Sequence, residues 1–217
     1  MPGLAHAAPA LEEKTGIMAD AKPRLTRDDW VKASRRLLVQ SGIEEVKVDV
    51  LAKRLKVTRG SFYWHFKNRK DLLDALLQSW RDHKEHELSL VEARWPDGGA
   101  IEVARVWLSE EASYPRFDMA VRFWGWKTKA VAKIIRDVDD RWIAFFASRF
   151  RAEGQSETES FIRARVLYLH QIGYWASGID EPLSQRLEYM PYYNYVLTGA
   201  RDPHAAVGGA EPRKSNR

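Results

Sequence analysis

The chain has 217 residues and no cysteine, which excludes disulfide staples, thiol nucleophiles and thiolate-held metals. No uninterrupted apolar run approaches the roughly 18 residues that read as a membrane span. The opening stretch, MPGLAHAAPALEEKTGIMADAKPR, lacks the charged start and apolar centre of a secretory signal. Gly-x-Ser-x-Gly elbows and Gly-rich phosphate loops are missing. So are internal repeats and any sustained strand-like alternation. The expectation is a soluble, cytoplasmic, non-enzymatic protein that uses no cofactor and no membrane.

Hydrophobic residues make up 45% of the chain, enough for one or two packed domains, and nine tryptophans imply a bulky aromatic interior or pocket. The net charge of +5 hides an asymmetry, because residues 22–70 carry 14 Lys/Arg against 5 Asp/Glu while both flanks are slightly acidic. Excess positive charge concentrated in one segment favours a polyanionic partner through counterion release.

Between two tails the pattern is helical throughout. Residues 1–24 and 201–217 are rich in Ala, Pro, Gly and charge without periodicity, and read as flexible arms; Met18 is an alternative start. Thr26 and Asp29 open a first helix whose apolar stripe is Trp30, Ala33, Leu37 and Leu38, stopping at Ser41-Gly42. A second helix spans about 48–55. Thr58 is expected to cap a short third, and Asn68 with Asp71 to cap a fourth reaching about Ala93. Trp95-Pro96-Asp97-Gly98-Gly99 reads as a break, followed by helices at about 100–112, 116–127, 130–152, 157–178 and 182–198.

The most informative stretch is VTRGSFYWHFK, Val57 to Lys67. A helix turns 100° per residue, so the five rings from Phe62 to Phe66 cannot share one buried face. Phe62 and Phe66, four apart, are expected inward. Arg59, Ser61, Tyr63, Trp64 and His65 are then left outward, where guanidinium, hydroxyl and ring groups suit base edges, phosphates and sugars. Trp64 has a second option, packing against the first helix. Thr58 and the free amides of the helix start can take a phosphate, and Lys67 can clamp the backbone. Two short helices meeting at a tight turn after a longer one form a helix-turn-helix.

LAKRLKVTRGSFYWHFKNRKDLLDALL, Leu51 to Leu77, resembles the DNA-binding domain of TetR-type transcriptional regulators, and the likeness extends from Leu25 to Trp80. The resemblance implies Thr58, Arg59, Gly60, Ser61, Tyr63, Trp64 and His65 on double-stranded DNA, Lys67 on phosphate, and Gly60 as the point of close backbone approach. Lys47, counted with the DNA-facing set, replaces the usual Ser/Thr cap. Lys56 replaces the usual turn glycine, at a position expected to need positive φ. The implied organisation is all-α: a three-helix DNA-binding domain at 25–70, then a larger helical effector-binding and dimerisation domain at 71–200.

The second part is similar to TetR-type regulatory domains through Val121-Arg122-Phe123-Trp124 and Val138-Asp139-Asp140-Arg141. Thr128, between Lys127 and Lys129, replaces an acid usual between those motifs. Candidate effector-pocket residues are Trp107, Phe123, Trp126, Trp142, Phe146, Tyr168, His170 and Trp175, for each of which core packing is the competing role. The resemblance implies a homodimer through the last two helices, which carry Gly173, Ala176 and Ser177, reading a palindromic operator until a small effector releases it. That makes a repressor the leading expectation, with an architectural DNA-binding dimer as the alternative. His83-x-x-His86, with Glu85 and Glu87, is the best metal-like cluster, but no matching ligand motif accompanies it, and no metal is expected.

Overall fold

A computed structural model describes residues 25–108 and 113–198; the arms at 1–24 and 201–217 lie outside the described residues. Nine α-helices and no strand are found among the described residues. They are α1 (Arg27–Ser41), α2 (Val48–Leu55), α3 (Arg59–Tyr63), α4 (Arg69–Gly98), α5 (Ala100–Leu108), α6 (Ser113–Lys127), α7 (Lys129–Ala152), α8 (Glu157–Ser177) and α9 (Leu183–Thr198).

Local chemistry accounts for the first helix. Thr26 accepts from the Asp29 amide at 3.2 Å and Asp29 accepts back from the Thr26 amide at 2.8 Å, a complete capping box. Its apolar stripe is buried, with Trp30 edge-on to Phe62 at 5.3 Å. Gly42 ends the helix at φ 80°, leading into a single 3-10 turn, Ile43–Glu45. Arg69 holds that turn by donating to the carbonyls of Val46 (2.6 Å) and Ile43 (2.8 Å).

α4 differs from its expected course. It runs through Trp95 and Pro96 and ends at Gly99, where φ is 57° and the amide donates to the Trp95 carbonyl at 2.8 Å. Burial explains this extension, because Trp95 packs against Phe145, Phe146 and Phe150 of α7 and holds the final turn helical. The break therefore sits at Gly99, several residues later than the sequence alone suggests.

α1, α2 and α3 form the amino-terminal unit, and α4 leads from it into the larger body. There α7 and α8 pack as a long pair, α6 crosses α7, and α5 lies between α4 and α9. α1 also rests on α6, with the Arg35 guanidinium 4.2 Å from the Tyr114 ring. No helix among the described residues is long and apolar enough to cross a membrane.

Candidate nucleic-acid interface and regulatory core

α3 divides as helical geometry requires. Phe62 and Phe66 are buried and stack on one another at 5.4 Å, with Trp30 behind Phe62 and the Arg27 guanidinium over Phe66. Tyr63 lies half exposed with its ring edge-on to Phe62 at 5.2 Å, and Trp64 points away from this anchor. Trp64 is 79% exposed, so it does not pack on α1. Arg59 is exposed and lies 3.4 Å from Asp49 of α2; the Tyr63 hydroxyl and Asp49 both raise its pKa. Lys47, Thr58, Gly60 and Lys67 are exposed too, while Ser61 and His65 are half-buried. All nine residues expected on DNA thus belong to the α2–α3 unit and its flanks.

Thr58 stands at the start of α3 but its hydroxyl makes no capping bond, which leaves it available to an external partner. Lys47 at the start of α2 makes no side-chain capping bond either, its Nζ donating instead to Glu45 at 3.1 Å. Lys56 adopts φ 56°, ψ 42°, the sole positive-φ non-glycine among the described residues, as its replacement of a turn glycine implies. Gly60 is different. A methyl group there would meet only the Thr58 hydroxyl at 3.7 Å, and its φ is not in the left-handed range. Nothing among the described residues requires glycine at this exposed position.

The body contains a buried polar network that the sequence reading did not assemble. Trp80 of α4 donates to Asp118 of α6 at 2.8 Å, and Arg122 donates to the same carboxylate at 2.8 Å. Arg122 then forks onto Asp139 of α7 at 2.8 and 3.0 Å, and Tyr168 of α8 donates to Asp139 at 2.8 Å. Burial acts to raise the Asp118 pKa, but Lys84 and Arg122 outweigh it and hold the group below its ordinary value. Burial, reinforced by Asp139, pushes Tyr168 well above the usual phenol range. Two signals were legible: the i,i+4 spacing of Asp118 and Arg122, and the two motifs that carry Arg122 and Asp139.

The eight aromatic and histidine candidates do not line one cavity. Trp142, Phe146 and Tyr168 are core, with Trp142 stacked on Tyr168 at 5.8 Å. Phe123 is exposed and Trp126 is 81% exposed, the pair meeting edge-to-face at 4.9 Å on the surface of α6. Trp107 and His170 share a cavity of about 70 Å³ between α5, α8 and α9. Trp175 and Phe123 border a groove of about 830 Å³ between α1, α6 and the α8–α9 connection. Of the histidine pair, His83 stacks on Tyr114 while His86 is exposed, and Glu87 pairs with Lys84 at 2.6 Å. No group of three or more metal-capable side chains gathers among the described residues.

A short helix-turn-helix carrying the excess positive charge, joined to a larger helical body, defines a class: a DNA-binding helix-turn-helix module on a helical scaffold. Residues 31–76 match the family model described as bacterial regulatory proteins, tetR family, and the helix-turn-helix domain belongs to that family. It is similar to the regulator TtgR of Pseudomonas putida, 34% identical over 61 residues, 28% of this chain and 29% of that protein. It is likewise similar to the class D tetracycline repressor protein of Escherichia coli, 33% identical over 73 residues, 33% of this chain and 34% of that protein. Each match spans about a third of the relative's length. The fold is shared more widely: a transcriptional regulator from Rhodococcus sp. Rha1 superposes with a TM-score of 0.64 at 20% identity, covering 81% of this chain and 95% of that one.

Proposed function

We propose that the chain is a homodimeric, sequence-specific DNA-binding transcriptional regulator of the cytoplasm, a repressor that a small-molecule effector releases from a palindromic operator. One observation carries the reading: α3 presents Arg59, Tyr63 and Trp64 outward from a buried Phe62–Phe66 anchor, within the segment that holds the excess positive charge. Gly60 supports it, since a glycine that the fold does not need suits close approach of a DNA backbone.

The dimer has its own support. Ile162, Val166 and Leu169 form an exposed apolar stripe along α8, which Gly173 continues with open space around it. α9 beside it buries none of its residues within one chain and exposes Leu187, Tyr192 and Val196. A second copy related by two-fold symmetry would cover both faces and set two α3 helices to read both half-sites.

The direct test compares a footprinted operator with scrambled DNA by fluorescence anisotropy. Arg59→Ala and Tyr63→Ala are expected to weaken the operator by about 1–3 kcal/mol each and scrambled DNA much less. Equal losses on both would remove the base-reading role.

A further inference from the structure

The cavity between α5, α8 and α9 has a mostly apolar wall, including Ile101, Leu167, Tyr193 and Leu197. Two side chains in that wall stand out. Trp107 is 4% exposed and Gln171 7% exposed, yet neither the Trp107 Nε1–H nor the Gln171 Nε2 amide has a hydrogen-bond partner among the described residues. A buried donor left unpaired loses its hydration without replacement, so two on one small cavity point to a partner supplied from outside the chain.

The partner's chemistry follows from the donors and from the charges around them. Both unpaired groups are N–H donors, so the complementary group is a hydrogen-bond acceptor. Glu181 and Arg186 also line the cavity, but they offset one another, and both are already engaged with Tyr174. Glu181 accepts from its hydroxyl at 2.8 Å, and the Arg186 guanidinium sits 4.7 Å above its ring. Burial lowers the His170 pKa, keeping that wall group neutral. The lining therefore offers no surplus charge to an ion, and it offers ring faces and aliphatic carbon to the rest of the molecule.

From this geometry we infer that the α5–α8–α9 cavity is a binding site for a small, neutral, largely apolar molecule carrying a carbonyl-type oxygen, with Trp107 and Gln171 donating to that oxygen. The inference rests on the effector reading above and gives it a chemical class. It also gives it a route. The site is bounded by α8 and α9, whose outer faces are the proposed dimer contact, so an occupant would alter how the two copies, and hence the two α3 helices, are set.

The test uses the full-length protein without DNA and a matched pair of probes small enough for this cavity, acetone and 2-methylpropene, which share shape but differ in the acceptor oxygen. By calorimetry the ketone is expected to bind about tenfold more tightly. In ¹H–¹⁵N spectra the ketone, not the hydrocarbon, is expected to shift one indole N–H, identified as Trp107 by its loss in Trp107→Phe. Gln171→Leu should reduce the ketone's advantage several-fold and leave 2-methylpropene binding unchanged. Equal affinities, no binding of either probe, or a ketone response that leaves every indole N–H unmoved would each overturn the assignment, and the wild-type comparison needs no variant to fold. Operator affinity measured with bound acetone reports on the effector reading separately: unchanged DNA binding would remove that reading while leaving the site in place.

Discussion

Single residues illustrate how local rules are obeyed or overridden. Lys56 sits in the left-handed region where glycine is favoured, and its backbone strain is balanced by the tight α2–α3 turn, with amides of Lys56 and Val57 donating to Lys53 and Ala52. Lys56→Gly is expected to stabilise the fold by up to about 1 kcal/mol in thermal denaturation, while weakening DNA binding slightly at low salt through the lost charge. Gly60→Ala should separate fold from function in the opposite way. Helix propensity predicts unchanged or slightly higher stability, by up to about 1 kcal/mol, alongside weaker operator binding. A Gly60→Ala chain with full operator affinity would dispose of close backbone approach at that point. His83 gives a pH signature. Burial lowers its pKa from 6.5 to about 4, against a raising contribution from nearby Glu87 and lowering ones from Lys84, Arg35 and His86. The unfolded chain therefore takes up this proton first, so stability is retained above about 6.5 and falls as pH drops towards 4. In urea melts at several pH values, His83→Phe should flatten that part of the profile.

At the scale of elements, α3 and α6 make contrasting cases. The pattern of α3 was legible because its inward and outward residues alternate with a period any helix imposes, and the buried pair Phe62 and Phe66 is local in sequence. Phe62→Ala should cost about 3–5 kcal/mol, whereas Trp64→Ala should leave the melting temperature nearly unchanged and weaken DNA. α6 was less legible. Phe123 and Trp126 have the composition of core residues but lie on its outer face, because Asp118, Val121, Arg122 and Gly125 turn towards α4 and α7 instead. Arg122 is what joins α6 to α7, so Arg122→Ala would strand two carboxylates at a mostly buried site. A loss on the order of 3–5 kcal/mol is expected in chemical denaturation, with Arg122→Lys recovering only part of it.

The whole molecule brings together two units joined by α4 and by the packing of α1 on α6. The first turn of α4 is tied to α1 by Arg27 and Asp71 at 3.3 Å, and its middle is tied to the body through Trp80 and Asp118. One helix thus bridges the DNA-facing unit and the polar network. The proposed dimer can be tested at this scale: Val166→Glu on the exposed α8 stripe should yield a folded monomer by sedimentation. That monomer should lose most operator affinity, since a single α3 engages one half-site.

The sequence by itself determined the helices, the helix-turn-helix and the division of its aromatic run, because periodicity, caps and turn residues act over a few positions. Tertiary structure decided where α4 stops, since Trp95 is buried against Phe145, Phe146 and Phe150 of α7. It alone decided which tryptophans are core and which are surface, and that Trp80, Asp118, Arg122, Asp139 and Tyr168 form one network. The tertiary arrangement also set Trp107 and Gln171, 64 positions apart in the chain, on one cavity. Such groupings depend on which helix faces meet, and no local pattern in one chain encodes the meeting of faces so distant in sequence.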